Sequence, residues 1–81
     1  MTYRYQQKQS KYYIAAFGRG WHFADSCMLR GKTPTEEELQ KMQESAMEYA
    51  FGQATAHNED FSKKVAEGAF RNAFNDYPNI L

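Results

Sequence analysis

The segment Gly31-Lys32-Thr33-Pro34-Thr35-Glu36 constrains this chain more than any other. Glycine suits the left-handed position that closes a helix. Thr33-Pro34-Thr35-Glu36 then supplies a capping threonine, a proline at the first helical position and a glutamate three residues on. One helix is therefore predicted to end near residue 30 and another to begin near residue 34.

The flanking sequence agrees with this punctuation. From Ser10, a candidate N-cap, Ile14, Phe17, Trp21, Ala24 and Met28 recur at three- and four-residue spacing, with Tyr13, Ala16, Gly20, Phe23 and Cys27 beside them. Lys11, Arg19, His22, Asp25, Ser26 and Arg30 fall on the remaining side, so the apolar face is wide enough to pack against two neighbours. Gly18 and Gly20 each weaken a helix interior by about 1 kcal/mol relative to alanine. The unbroken phase of the apolar pattern predicts that the helix runs through them and that another backbone approaches closely there. A second helix is expected from 34 to about 56, with Leu39, Met42, Ala46, Tyr49 and Ala50 as its stripe, Met47, Phe51 and Ala54 alongside, and a Glu37–Lys41 pair. Asn58 is expected to cap a third helix over 59–77, in which Glu59 and Asp60 reach Lys63 and Lys64. Phe61, Val65, Ala69, Ala73 and Tyr77 form its buried stripe, and Pro78 stops it.

The fold class expected is all-α: a small three-helix domain (about 10–30, 34–56 and 59–77) with a flexible polar N-terminal arm. Domain organisation follows as an arm over 1–9 and a single helical domain over 10–81. Eighty-one residues suit one domain. Leu, Ile and Val together number only six, yet thirteen aromatic residues can build the core instead, each buried ring removing about 150–250 Å² from water. Such a core is modest, so oligomerisation is a natural supplement. Ala66, Phe70, Ala73 and Pro78 resemble the second helix of a tetratricopeptide repeat over less than a quarter of the chain. The first-helix pattern of that family is absent, with Ala50 and His57 at its aromatic positions, and no family is assigned.

The neutral total charge conceals two blocks. Residues 1–32 carry six basic groups against Asp25, a net +5, and residues 33–60 carry Lys41 against seven acidic groups, a net −6. Split charge of this kind steers a charged partner or orients copies of a chain.

Catalytic chemistry finds little support. Cys27, His22 and Asp25 could in principle form a nucleophile, base and orienting group, but five residues on a helix turn His22 and Cys27 about 140° apart. Two histidines and one cysteine do not supply the ligands of a structural zinc site, and Gly18-Arg19-Gly20 is not a phosphate loop. No enzyme activity, small-molecule substrate, cofactor or metal is expected. The lone cysteine and the polar start predict a cytoplasmic protein without a membrane anchor.

What remains is a non-enzymatic module that docks stoichiometrically on a protein complex, an inhibitor or adaptor of the phage or mobile-element kind such as an anti-CRISPR or other anti-defence protein. A homodimer is a possible assembly. Aromatic residues and separated charges carry such contacts, which nominates Tyr3, Arg4, Tyr5, Lys8, Lys11, Tyr12, Arg19, Glu37, Glu44 and Glu48. The alternative is a nucleic-acid-binding regulator, in which tyrosines of the 1–32 segment stack on bases while its lysines and arginines meet phosphates.

Overall fold

The computed structural model describes residues 10–80, with side chains through Tyr77, and the predicted arm over 1–9 lies outside the described residues. Three helices make up this portion: α1 (Lys11–Arg30), α2 (Glu36–Ala56) and α3 (Lys63–Ile80). The central helix is α1, which packs against both others, while α2 and α3 touch each other least.

Local chemistry sets each helix end. Ser10 is extended, and its hydroxyl accepts the Tyr13 N–H at 3.2 Å. At the far end Gly31 adopts φ 64°, the Gly31 N–H reaches the Met28 carbonyl and the Lys32 N–H reaches the Cys27 carbonyl, each at 3.0 Å. This double closure needs the left-handed residue that glycine supplies. The capping box of α2 lies two residues later than expected: Thr35, not Thr33, is the N-cap. The Thr35 hydroxyl accepts the Glu38 N–H at 3.1 Å and the Thr35 N–H donates to Glu38 Oε1 at 2.9 Å. Thr35–Glu38 satisfies the same spacing rule as Thr33–Glu36, and Lys32 Nζ, 3.6 Å from Glu38 Oε2, adds an ion pair to the later frame.

The third helix departs most from expectation. Asn58 does not open α3; at φ 54° it closes α2, with the Asn58 N–H on the Thr55 carbonyl and the Glu59 N–H on the Ala54 carbonyl. Asparagine tolerates this conformation better than most residues. Ser62 begins α3 instead, its hydroxyl accepting the Val65 N–H at 3.3 Å. Pro78 does not stop the helix, which continues to Ile80. Among the described residues the ion pairs are Lys32–Glu38 and Arg71–Glu36, so the Glu37–Lys41 pair and those of Glu59 and Asp60 with Lys63 and Lys64 do not form.

The buried stripes also differ from those read off the sequence. On α1 the buried line is Tyr12, Ala16, Gly20, Ala24 and Cys27; on α2 it is Gln43, Ala46, Met47, Ala50 and Ala54. On α3, Ala66, Ala69, Phe70 and Ala73 are buried. Small residues dominate because the helices approach closely. A Cβ on Gly20 would stand 2.5 Å from the Phe70 carbonyl oxygen and 2.8 Å from Ala73 Cβ. The expected close approach thus occurs at Gly20, whereas a Cβ on Gly18 would meet nothing within 4 Å. Gln43 bridges α2 to α3: its amide donates to Glu67 at 3.1 Å and accepts from Arg71 Nε at 2.6 Å, and Arg71 also reaches Glu36.

Candidate docking surface

Packing α1 on the line from Tyr12 to Cys27 keeps Tyr13, Phe17 and Phe23 at the edge of the core and turns four other apolar residues outward. Ile14 is 55% exposed, Trp21 37%, Met28 49% and Leu29 80%. The sequence reading placed Ile14, Trp21 and Met28 in the core. The structure corrects this, because close packing at Gly20 selects the small side of the helix and leaves the large side outside.

Along this outward side Tyr13, Ile14, Phe17, Gly18 and Trp21 line an open, almost wholly apolar groove of about 320 Å³. Its aromatic wall is ordered by the helix itself: Tyr13 stacks on Phe17 at 6.3 Å, and Phe17 meets Trp21 at 5.2 Å. Its floor is open because Gly18 carries no side chain. Ile14, Phe17, Gly18 and Trp21 stand at i, i+3, i+4 and i+7, the four positions that enclose one inserted side chain when helix packs on helix. An exposed apolar patch of this kind marks an interaction surface rather than an ordinary solvated face.

The sequence-nominated residues do not assemble into one site. Tyr3, Arg4, Tyr5 and Lys8 lie outside the described residues. Lys11 is exposed at the start of α1. Tyr12 is a core residue, 3% exposed, its ring edge-on to Phe61 at 5.3 Å. Arg19 is half-buried with its guanidinium 4.2 Å from the centre of the Tyr49 ring, so α2 already receives its charge. Glu37, Glu44 and Glu48 are exposed on α2, and the latter two flank a polar cleft toward α3 that Lys63 and Glu67 also line. The basic and acidic blocks meet instead at Lys32 and Glu38, 3.6 Å apart.

The groups considered for chemistry are likewise apart. His22 is exposed with its ring edge-on to Phe23, Cys27 is buried, and Asp25 accepts a hydrogen bond from the Tyr77 hydroxyl. Among the described residues no three His, Cys, Asp or Glu side chains are placed to hold a metal ion, and no helix is long and apolar enough to cross a membrane.

No protein-family model, curated protein or solved structure matches this chain.

The residues missed in the sequence, Ile14, Gly18, Trp21 and Met28, did leave a signal there. An apolar arc covering most of the way round a helix exceeds what two small-residue neighbours can cover.

Proposed function

We propose that this protein is a non-enzymatic interaction module that acts by packing the outward face of α1 against an α-helix of a protein partner. One observation carries this reading: the exposed Ile14–Trp21 groove, whose lining has the spacing of a helix-packing hole. A foreign helix needs an apolar residue to insert over Gly18 and others to cover Ile14 and Met28. Binding of this kind blocks or bridges surfaces stoichiometrically, as an inhibitor or adaptor does. The nucleic-acid alternative rests on the basic aromatic 1–32 segment, of which Arg4 and Lys8 lie outside the described residues, Arg19 is directed to Tyr49 and Lys32 to Glu38, leaving Lys11 and Arg30 exposed.

A photo-reactive residue at position 14 tests the reading, with one at Lys41, on the exposed side of α2, as control. In cells that contain the full chain, position 14 is expected to form an adduct with a polypeptide that Trp21→Glu abolishes, and position 41 is not. Equal labelling at both positions, or no polypeptide adduct at 14, overturns it.

A further inference from the structure

The outward side of α1 reads Lys11, Ile14, Gly18, Trp21, Asp25 and Met28, separated by three, four, three, four and three residues. This is the three-four spacing along which one helix packs on another, with Ile14, Trp21 and Met28 as its apolar members. The chain itself buries a different line of α1, from Tyr12 to Cys27. Most of the seam is therefore left uncovered by the molecule, Asp25 alone bonding to Tyr77 of α3, and the helix carries it for about 25 Å of its length.

We propose that the occupant of this seam is α1 of a second copy of the chain, running antiparallel, with Trp21 of each copy seated over Gly18 of the other. The inference rests on the docking reading above and names its partner. Self-complementarity is the first reason. A two-fold contact requires that residue i meet residue j while j meets i, so each copy must present both a projecting group and a hole on one face. Trp21 and the hole over Gly18 lie three residues apart on the same face and meet that condition. The largest seam residue is then opposite the smallest, and Gly18, which no contact inside the chain requires, is accounted for.

Charge is the second reason. The seam holds one cation, Lys11, near its start and one anion, Asp25, toward its end. With Trp21 opposite Gly18, antiparallel register sets Met28 opposite Lys11 and Ile14 opposite Asp25. Lys11 of one copy then lies within one helical turn of Asp25 of the other, twice by symmetry. A parallel pair would instead set Lys11 against Lys11, Asp25 against Asp25 and Trp21 against Trp21, which charge and volume both oppose.

A core of alanines is the third reason. Among the described residues Phe70 is the largest side chain fully buried, so burying Ile14, Trp21 and Met28 adds large apolar contacts to a core whose innermost members are mostly alanines.

Sedimentation velocity and light scattering over a range of concentrations test this on the full chain. The expected mass is twice the 9.4 kDa of one chain. Trp21, the sole tryptophan, should shift its emission to the blue and lose access to acrylamide as the dimer forms. Gly18→Leu, which fills the hole without touching monomer packing, and Ile14→Glu should each return the mass to that of one chain with helical circular dichroism retained. Lys11→Glu should weaken the dimer several-fold. A single-chain mass at every concentration, or a dimer indifferent to both Gly18→Leu and Ile14→Glu, overturns the proposal. A monomer whose position-14 probe still captures a different polypeptide overturns the self-pairing and leaves the docking reading standing. A monomer with no adduct overturns both, and so does one whose Trp21 becomes more quenchable on deletion of residues 1–9, since the chain's own start would then fill the groove.

Discussion

The carboxylate of Glu59 accepts the backbone N–H of Lys11 at 2.7 Å, and with its other oxygen that of Tyr12 at 3.0 Å. The loop between α2 and α3 thus satisfies two of the open donors at the start of α1 and brings an anion to the positive end of that helix. Ser10 satisfies a third. Glu59→Ala is expected to destabilise the fold by about 1–2 kcal/mol, as loss of a helix cap does. Glu59→Gln should lose less, because one amide oxygen remains to accept. Urea unfolding gives both values, and an unchanged midpoint for Glu59→Ala would show that the cap contributes nothing.

Gly20 and Gly18 should respond in opposite directions to the same substitution. Alanine at 20 places a methyl 2.5 Å from the Phe70 carbonyl oxygen, against backbone that cannot turn aside as a side chain would. Overpacking of this kind costs about 1–3 kcal/mol, more than the roughly 1 kcal/mol gained in helix propensity. At 18 the methyl meets nothing within the chain, so alanine should stabilise the monomer by up to about 1 kcal/mol. Denaturation at low chain concentration separates these outcomes, and two shifts of the same sign would contradict them.

Helix number and type, both ends of α1 and the end of α2 could be read from the sequence because they depend on local chemistry. Ser10 and Gly31 act through atoms within a few residues, and so does the capping box, although its pair is Thr35–Glu38 rather than Thr33–Glu36. The start of α3 could not be read so well. Asn58-Glu59-Asp60 resembles a helix start, but Asn58 serves the preceding helix and Glu59 serves α1, forty-eight residues back from it. The docking face was misread for a related reason. Periodicity shows that α1 is apolar over a wide arc, but which part of the arc turns inward depends on how closely α3 can approach. That is decided by Gly20 meeting Phe70 and Ala73, a contact between positions fifty residues apart.

Glu38 should titrate below the ordinary glutamate value of 4.5, because it accepts the Thr35 backbone N–H and lies beside Lys32. A carboxyl whose folded value is lowered contributes stability that is fully present above the unfolded value. That contribution is lost as pH falls through the lowered folded value. The capping box therefore weakens only in the acid range below about 4.5 and is intact at neutral pH. The carboxyl carbon shift of Glu38, followed by NMR, should give a midpoint under 4.5, and Lys32→Ala should raise it. A midpoint at or above the ordinary value would refute the assignment.

Tyr77 shows the opposite sign. Its hydroxyl donates to the Asp25 carboxylate, so ionising it would set two negative charges together, and its value is raised above 10.0. The stability it contributes is complete below the unfolded value and is lost as pH rises through the raised folded value. Tyr77→Phe should remove this part of the alkaline limb of the stability profile. Phenolate absorbance at 295 nm or so is the direct check, and one tyrosine fewer titrating late in the variant is the expected result.

Phe70 tests how thin the core is. Around it the buried residues are chiefly alanines, with Tyr12 and Met47 as the other large members of the same cluster. Truncating a buried phenylalanine to alanine costs about 3–5 kcal/mol, and a domain of this size holds only a few kcal/mol of net stability. Phe70→Ala is therefore expected to be largely unfolded at room temperature and low concentration, with collapsed amide dispersion and no cooperative urea transition. Phe70→Leu, which keeps most of the volume, should unfold cooperatively at a lower midpoint. If α1 also packs against a second copy, association stabilises the folded state by mass action, and the midpoint of both wild type and Phe70→Leu must rise with chain concentration. A wild-type midpoint independent of concentration would mean that the alanine core suffices alone.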